Sequence, residues 1–304
     1  MQFNIQIIGC GSALPTLLRG PSAQVVNVHG NNFLLDCGEG TQLRLRQHKI
    51  KMQQIHHIFI SHLHGDHFFG LVGLLSTMHL LGRKKSLNIY APNGLQKVIE
   101  DQFRVSGTIL QFNLHFISLI EGKLELLYDE EKYHIFSFPL EHKIPCWGFL
   151  FKEKSIRPKL KKSFINKQRP DVESIKKIIQ GEDYINEKGE TFYYKLITTP
   201  ARDAHSYAYC SDTKYTESII EHIKGVSVLY HEASFGNELA KQAELRAHST
   251  ATQAATIALK AEVGQLIIGH FSARYKDPAP LLDEAKSIFK NTIAAEDGLK
   301  IELS

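Results

Sequence analysis

The spacing of the apolar residues changes along the chain, and each change marks a boundary between a predicted strand and a predicted helix. Residues 58–60 (Ile-Phe-Ile) form a short β-favouring run, whereas the apolar positions within residues 68–78 recur with helical spacing. Between these two elements lies a polar turn, residues 61–67, that contains three histidines and one aspartate. The turn therefore presents several potential ligands between a buried strand and a helix.

The other apolar runs predict further strands and helices. Strands are predicted in FNIQII, QVVNVHGNNFLLDCG (a hairpin that turns at Gly30, Asn31 and Asn32), SLNIYAP, NLHFISL, KLELLYD, YHIFSFPL, KLITTP, SYAYCSDT, VSVLYHEASF, QLIIGHF and GLKIELS. Helices are predicted in GEGTQLRLRQ, NGLQKVIEDQFRV, DVESIKKIIQGEDY and TATQAATIALK. Strands mixed with helices favour an α/β fold in which helices cover sheet layers.

The segment from Lys152 to about Tyr194 departs from this pattern, with few apolar residues and many lysines. We therefore expect residues 1–304 to form one domain, with residues 152–194 inserted as an arm too poor in apolar residues for its own core. Between Lys152 and Arg169, eight basic residues and one acid give +7, so the rest of the +4 chain carries 4 − 7 = −3. Such concentrated positive charge favours a polyanionic partner, and the alternative is a solvated charged loop.

Hydropathy and cysteine use suggest the cellular setting. The sequence has no run of about 18 apolar residues, and its first residues lack the basic and then apolar pattern of a signal peptide. Cys10, Cys37, Cys146 and Cys210 are scattered in apolar surroundings, so they are expected to be buried thiols rather than disulfides or ligands. These features predict a soluble cytoplasmic protein without a membrane partner.

The histidine-rich turn has the residue types and spacing of a metal site. His62 and His64 are two residues apart in an extended segment, so both side chains project to one side and can reach one cation. Asp66 and His67 follow where the chain turns into the helix, and this pair more easily serves another cation. Imidazole and carboxylate without thiolate suit Zn²⁺ or Mn²⁺. The alternative is a surface loop that is rich in histidine.

Three later residues, each after a predicted strand, complete the ligand set. His142 offers a third imidazole to the first metal, His270 offers one to the second, and Asp212 can bridge both, which a histidine cannot do. The predicted ligands are His62, His64 and His142 for one metal, Asp66, His67 and His270 for the other, and Asp212 between them. Two such cations polarise a phosphoryl or carbonyl oxygen and lower the pKa of a shared water, so hydrolysis is the expected chemistry.

Five further residues are candidates for supporting roles. Asp36 ends a buried strand, where its carboxylate orients a ligand histidine or caps the adjoining turn. His231 is expected to be a structural histidine, and its neighbour Glu232 can hold another imidazole in one tautomer. His248 stands at a helix entrance, where it can donate a proton to a leaving group, and the guanidinium of Arg274 offers a fork for phosphate oxygens.

The motifs LLDCGEGTQ, SHLHGDH, CSDT, HEASF, AHSTA and GHFSARY, together with the lone His142, run nearly from end to end of the chain. Together they resemble ribonuclease Z, the tRNA 3′-processing endoribonuclease family of the metallo-β-lactamase superfamily. SHLHGDH alone indicates only the superfamily. HEASF, AHST and SARY are typical of the narrower family.

This resemblance implies an αββα four-layer sandwich, two zinc ions per subunit, a homodimer, and cleavage of precursor tRNA after the discriminator nucleotide to leave a 3′-hydroxyl. It also implies that Asp66 is the base, that His248 supported by Glu232 assists the leaving oxygen, and that Arg274 contacts a phosphate near the cut. The basic segment corresponds to the family's protruding arm, which binds the tRNA body. The expected contacts in the arm are Lys159, Lys161 and Lys162.

Two departures from the family pattern concern the handling of the RNA. The family often has a Pro-x-Lys-x-Arg-Asn loop, whereas this chain has PTLLRG, with Leu17 in place of the lysine and Gly20 in place of the asparagine. The arm has RPKLKKSFINKQRPD in place of a Gly-Pro-rich stretch.

Two rival functions remain open at this point. One is a metallo-β-lactamase-fold phosphodiesterase or a hydrolase of a small ester, thioester or lactam, against which Arg274, His248 and the cationic arm argue. The other is a non-catalytic RNA-binding protein of the same fold. The complete ligand set argues against it, because seven buried polar groups around no metal are costly to retain.

Overall fold

The computed structural model describes residues 3–154, 158–199 and 204–303. It contains two compact units, of which the first comprises Met1–Asp129, Ile135–Phe151 and Ser206–Ser304, and the second Glu130–His134 and Lys152–His205. Arg157, one of the eight basic residues counted in the arm, lies outside the described residues. None of the helices in the described residues is long and apolar enough to cross a membrane.

Strands and helices are numbered in chain order within the described residues. The strands are β1 (Phe3–Gly9), β2 (Gly11–Ser12), β3 (Ala23–Val28), β4 (Asn31–Leu35), β5 (Ile55–Phe59), β6 (Leu87–Ala91), β7 (Leu114–Ser118), β8 (Glu125–Asp129), β9 (Tyr133–Leu140), β10 (Cys146–Glu153), β11 (Lys159–Leu160), β12 (Tyr184–Ile185), β13 (Thr191–Phe192), β14 (Thr198–Thr199), β15 (Ser206–Cys210), β16 (Val228–Glu232), β17 (Gln265–Gly269), β18 (Phe271–Ser272), β19 (Thr292–Ala294) and β20 (Lys300–Leu303). The α-helices are α1 (Thr41–Gln47), α2 (Gly65–Phe68), α3 (Leu71–Leu80), α4 (Leu95–Ser106), α5 (Lys162–Gln168), α6 (Val172–Ile179), α7 (Tyr194–Ile197), α8 (Ile220–Ile223), α9 (Ala240–Arg246), α10 (Ala251–Lys260) and α11 (Ala279–Ile288).

Two seven-stranded sheets organise the fold. The first has the order β20-β1-β3-β4-β5-β6-β7, and the second has the order β19-β17-β16-β15-β10-β9-β8. In the first sheet β20, β1, β3 and β4 pair antiparallel, whereas β4 through β7 pair in parallel. In the second sheet β15, β16, β17 and β19 are parallel neighbours. The sheets are therefore mixed, and their parallel strands end at a common edge.

Alternation along β5 shows how both faces of the first sheet are buried. Ile58 belongs to an apolar cluster with Leu71 and Leu74 of α3, whereas the next residue, Phe59, has its ring 5.3 Å from that of Phe149 in β10 of the second sheet. On the second sheet α10 packs against β16 and β17. This packing confirms the predicted α/β fold with helices outside two sheets, an αββα sandwich.

The predicted first hairpin is present, but its predicted turn is wrong. His29 and Gly30 form the turn with φ of 52° and 89°, and Asn31 and Asn32 are already the first residues of β4. Two positive φ values are typical of the two-residue turn that matches strand twist. The Asn27 side chain donates from Nδ2 to Asn32 Oδ1 at 2.6 Å, which joins the two strands beside the turn.

The second unit differs from two predictions for the arm. KLITTP was expected as a strand of the core, but Tyr194–Ile197 is the short helix α7, and only β14 follows it, paired with β11. The arm was expected to lack a core, but Phe164, Ile178 and Ile197 are buried together. The ring of Phe164 lies 5.5 Å from those of Tyr184 and Phe192. A few aromatic residues gathered by short elements are enough for a small apolar cluster.

Candidate metal centre

The candidate ligands follow the carboxyl ends of strands in both sheets of the first unit. The turn with three histidines and Asp66 follows β5, and His142, Asp212 and His270 follow β9, β15 and β17. Since the parallel strands of a sheet end at one edge, residues far apart in sequence meet there. All seven candidate ligands are brought together, in one group that includes Asp212 and a second group that Asp212 adjoins.

The first group consists of His62, His64, His142 and Asp212. His64 Nδ1 lies 3.1 Å from His62 Nε2 and 3.2 Å from His142 Nε2. Asp212 Oδ2 lies 3.5 Å from His62 Nε2 and 3.8 Å from His142 Nε2. Three ring nitrogens and one carboxylate oxygen thus surround one point.

The second group consists of Asp66, His67 and His270, and the other oxygen of Asp212 lies beside it. His67 Nε2 and His270 Nε2 are 3.2 Å apart, and Asp66 Oδ2 lies 3.5 Å from the first and 3.4 Å from the second. Asp212 Oδ1 lies 3.4 Å from His67 Nε2 and 3.1 Å from His270 Nε2. Each oxygen of Asp212 therefore faces a different group, as expected of a bridging carboxylate.

Hydrogen bonds on the far side of the rings assign the tautomers. His67 Nδ1 donates to Asp36 Oδ2 at 2.7 Å, and His142 Nδ1 donates to the carbonyl of Ala247 at 2.7 Å. Ser234 Oγ donates its proton to the His270 carbonyl, so His270 Nδ1 must donate to Ser234 Oγ at 3.0 Å. When these imidazoles are neutral, their inward Nε2 atoms carry lone pairs, which is the arrangement of metal-ligating histidines.

These contacts fit cations and do not fit protein hydrogen bonds alone. Asp212 Oδ1 is buried without a hydrogen-bond partner in the described residues, although His270 Nε2 is 3.1 Å away. A buried carboxylate oxygen without such a partner is well placed to bind a cation. A tetrahedral ion with bonds of about 2.0–2.1 Å holds its ligand atoms about 3.3 Å apart, close to the spacing in both groups.

The electrostatics of the two groups differ. Burial lowers the pKa of His62 to about 4 and also lowers the pKa of His64 and His142, so these imidazoles are neutral, the form that binds metal. Burial also opposes charge on His67, but Asp212, Asp66 and Asp36 raise its pKa well above the usual value. The second group therefore has a strong negative potential that favours a cation.

Asp36 connects the backbone of the site to one candidate ligand. Its Oδ2 accepts from His67 Nδ1, Ser61 Oγ and Tyr209 OH, and its Oδ1 accepts from the Ser61 amide. The expected contact between Asp36 and a candidate ligand histidine is confirmed. The alternative, a cap on the adjoining turn, is not, because α1 begins at Thr41 and no side chain caps it at the N-cap residue Gly40.

His248 and Glu232 form a hydrogen-bonded pair beside the ligands. His248 Nδ1 donates to Glu232 Oε1 at 2.8 Å, and the same carboxylate accepts from the amides of Thr213 and Ser234. Burial disfavours a charged imidazole, but the carboxylate of Glu232 raises the pKa of His248 to about 9. His248 Nδ1 is also 3.9 Å from Asp212 Oδ2, yet its proton is already bonded to Glu232. His248 also lies in a third group of possible ligands, with Asp212 and His270, but its Nδ1 is occupied by the bond to Glu232.

The other predicted residues lie outside the two groups. His231 is buried and bonded through Nδ1 to its neighbour's carbonyl. Arg274 is exposed, bonds Ser272 Oγ through Nε, and lies over the ring of Phe235 at 5.2 Å. The arm lysines are exposed residues of the second unit: Lys159, Lys161 and Lys162.

A cavity of about 780 Å³ opens over the ligands and adds residues that the sequence analysis missed. Lys143 and Arg246 line it next to His142 and His248, and Ala13 and Phe69 line it next to Asp66. The Ala13 amide donates to Asp66 Oδ2 at 2.7 Å. Lys143 and Arg246 each adjoin a motif already singled out, so their charge was the available signal. No sequence signal marks a backbone donor such as Ala13.

Both the sequence and the fold are similar to those of known proteins. A family model described as anti-Pycsar protein Apyc1 matches residues 3–115. Ribonuclease Z of Cytophaga hutchinsonii is 47% identical over 305 residues, covering 100% of this chain and 97% of that protein. Ribonuclease Z of Bacteroides thetaiotaomicron is 42% identical over 303 residues, covering 100% and 96%.

Among solved structures, the short form of human tRNase Z is similar with a TM-score of 0.71 and 27% identity, and the match covers 98% of each chain. The metallo-β-lactamase-fold protein YhfI of Bacillus subtilis has a TM-score of 0.70 at 18% identity, with both chains covered completely. The second likeness concerns the fold alone.

Proposed function

The chain belongs to the ribonuclease Z family, and on this premise we propose that it is an endoribonuclease that removes the 3′ trailer of precursor tRNA. The cut falls after the discriminator nucleotide and leaves a 3′-hydroxyl on the tRNA. Ribonuclease Z relatives that are 40–47% identical over nearly the full length support this activity. The observation that carries the chemistry is the pair of ligand groups joined by the two oxygens of Asp212.

The metal that we propose is zinc, two ions per subunit, with manganese as the alternative. His62, His64, His142 and Asp212 would hold one ion, and Asp66, His67, His270 and Asp212 the other. Imidazole and carboxylate donors without thiolate fit this choice. When bound, the ions supply Lewis-acid polarisation of the phosphate and a water of lowered pKa.

Three residues of the chain handle protons in this proposal. Asp66, held by the amide of Ala13, accepts a proton from the attacking water. His248 donates a proton from Nε2 to the leaving 3′-oxygen of the discriminator nucleotide, because its Nδ1 is bonded to Glu232. Glu232 is completely buried and fixed by two backbone amides, so it holds the imidazole in one orientation.

Contacts with the RNA are proposed at two places. Arg274, supported by the ring of Phe235, contacts a phosphate near the cut. The arm, residues 152–194 inserted in a single metallo-β-lactamase domain, binds the tRNA body through charge, with contacts from Lys159, Lys161 and Lys162. Exposure of these lysines supports that role.

We also propose a cytoplasmic homodimer. The four cysteines are buried and unpaired, which suits a reducing compartment. The dimer follows from the family resemblance, and sedimentation equilibrium tests it, with a mass of one 34.4 kDa chain as the contrary result.

A hydrolase of small neutral esters or lactams is the rival function. The cationic residues Lys143 and Arg246 in the cavity favour a phosphodiester instead, since a neutral substrate leaves both charges without a partner. Parallel assays on precursor tRNA and on a small thioester separate the two functions.

The Asp212→Asn variant tests the proposed site directly. An amide keeps the shape but removes the charge, so the protein is expected to lose at least one ion per chain in elemental analysis and to lose most of its cleavage of precursor tRNA. Asp283→Asn, an exposed position on α11, is the control. Unchanged metal content and rate in Asp212→Asn would contradict the proposal.

A further inference from the structure

Phe69 places an aromatic ring at the mouth of the cavity that contains the candidate ligands. It is 66% exposed and lines that cavity together with His64 and Asp66. Phe69 has no role in the proposed metal binding, proton transfer or phosphate contacts. A large apolar side chain left in water beside reacting groups is a candidate contact for substrate.

The ring is held firmly despite its exposure. The Phe69 amide donates to the Gly65 carbonyl at 2.9 Å, and the next amide, that of Gly70, donates to the Cys37 carbonyl at 2.9 Å. Gly65 has no side chain, and a Cβ there would lie 2.2 Å from Phe69 Cε2, so the ring rests directly on the backbone of the ligand turn. The ring centroid of the buried Phe68 lies 5.0 Å from that of Phe69, with an angle of 71° between the ring planes. A ring fixed in this way loses little entropy on binding.

The residues that line the cavity form two groups of different character. Ala13, Pro15, Pro21 and Phe69 make one group mainly apolar, although Ser12 and Glu39 also line the cavity, and the Ala13 amide bonds Asp66. Lys143 and Arg246 make the other group cationic. The bond from His142 to the Ala247 carbonyl joins the segments of this second group. A nucleotide chain has the same two characters, flat apolar bases and anionic phosphates.

From this division we propose that Phe69 is the stacking platform for the base of the first trailer nucleotide, an inference that rests on the proposed function. The leaving 3′-oxygen belongs to the discriminator nucleotide and faces His248, which lies in the cationic group. The nucleotide on the other side of the scissile phosphate is the first of the trailer, and it faces the apolar group. Phe69 is then a positioning residue that holds the trailer while the phosphate reacts.

The test pairs variants of Phe69 with altered substrates in single-turnover kinetics. The variants are Phe69→Ala, Phe69→Leu and Phe69→Tyr, with Leu80→Ala as control because Leu80 is 82% exposed at the end of α3 and does not line the cavity. The substrates are one precursor tRNA and two versions of it, one abasic at the first trailer nucleotide and one abasic at the discriminator. Metal content and melting temperature are measured for every variant.

Stacking on one base is expected to be worth about 5- to 150-fold, so Phe69→Ala should lower kcat/KM by that factor on the normal precursor. Phe69→Tyr should keep the rate, and Phe69→Leu should lose most of the same factor because it lacks a π face. On the precursor that is abasic in the trailer, wild type should fall to the level of Phe69→Ala, and the variant should show no further loss.

The inference would be overturned if Phe69→Ala lowered kcat/KM by the same factor on the normal precursor and on the precursor that is abasic in the trailer. It would also be overturned if the loss in Phe69→Ala disappeared only on the precursor that is abasic at the discriminator. Full activity of Phe69→Leu would contradict it as well. Loss of metal or of folding in all three variants would also overturn it, because the ring would then support the ligand turn. If wild type fails to cut the normal precursor, the proposed function itself fails, so the two failures are distinct.

Discussion

Four residues that shape the candidate site have the left-handed backbone conformation that residues other than glycine rarely adopt. They are Ala13, Asp36, Ala247 and His270, with φ of 56°, 54°, 56° and 59°. Each costs roughly 1–2 kcal/mol of strain, and hydrogen bonds around the site hold it. The carbonyl of Ala247 accepts the hydrogen bond from His142 Nδ1, and the next residue in the chain is His248. The strained backbone at these positions therefore helps to orient the groups that form the candidate site.

In the proposed mechanism His248 is a proton donor and not a metal ligand. Replacing His248 with Ala is expected to slow cleavage of precursor tRNA by about 10² to 10⁴-fold, because general acid catalysis typically contributes that much. The metal content should stay at the wild-type value, since Nδ1 is already bonded to Glu232. Single-turnover rates and elemental analysis of the same sample check both statements.

Glu232→Gln is the companion variant. It keeps a hydrogen-bond acceptor for His248 Nδ1 but loses the charge that raises the pKa of that imidazole. Its cleavage should therefore fall by less than in His248→Ala. Loss of one ion from His248→Ala would instead make this histidine a ligand and break the assignment.

Side chains with their own chemistry could be predicted from sequence, and contacts made through the backbone could not. His142, Asp212 and His270 were predicted as ligands because imidazole and carboxylate after strand ends are informative in themselves, and the structure brings them to the HLHGDH turn. The Ala13 amide and the Ala247 carbonyl gave no signal, because every residue has these groups and only tertiary structure aims them.

At the scale of elements, the hydrogen bonds that cap α10 stabilise the helix and also fix the backbone next to His248. Thr250 accepts from the Gln253 amide, and the Gln253 side chain accepts from the Thr250 amide, which forms a capping box two residues after His248. Thr250→Ala is expected to lower the free energy of unfolding by about 0.5–2 kcal/mol, measured by urea denaturation.

Two control variants separate capping from other effects of this change. Thr250→Ser keeps the side-chain acceptor and should retain most of the stability. Thr252→Ala, inside the same helix, removes no cap and should change the free energy of unfolding by less than about 0.5 kcal/mol. Equal losses for the alanine variants at 250 and 252 would show that the box contributes nothing.

The arm is the element whose proposed function depends most on charge. Replacing Lys159, Lys161 and Lys162 with Gln should weaken binding of precursor tRNA and reduce the slope of log affinity against log salt by about one per lost phosphate contact. Fluorescence titrations at several salt concentrations measure the slope. The same change at three exposed lysines of the first unit, Lys51, Lys123 and Lys290, is the control. Equal slopes for the two triple variants would remove the arm from the RNA-binding surface.

A deletion separates the arm from the chemistry. The backbone bond from the Glu153 amide to the His205 carbonyl, 2.9 Å, closes the base of this segment, so residues 155–203 can be replaced by a short Gly-Ser linker. This protein should cut precursor tRNA poorly and hydrolyse a small phosphodiester at the wild-type rate. Equal loss on both substrates would contradict the separation.

At the scale of the whole molecule, alternation of apolar residues predicted sheets covered by helices, and the two seven-stranded sheets confirm it. The order of the strands could not be predicted, because β20 at the C-terminus pairs with β1 at the N-terminus and no local pattern encodes such a contact. The small core of the second unit was missed for a similar reason. Phe164 and Ile197 are 33 positions apart in the sequence, so no local pattern joins them.

The central claim is that one chain holds two divalent ions that direct water to a single phosphate of precursor tRNA. The most direct test is to incubate the purified protein with an end-labelled precursor, with and without a chelator, and to map both product ends. We predict one cut after the discriminator nucleotide, a 3′-hydroxyl on the tRNA and a 5′-phosphate on the trailer, loss of cutting with chelator, and recovery with added Zn²⁺ or Mn²⁺. Cleavage that persists in chelator, or that falls at another bond, would contradict the account.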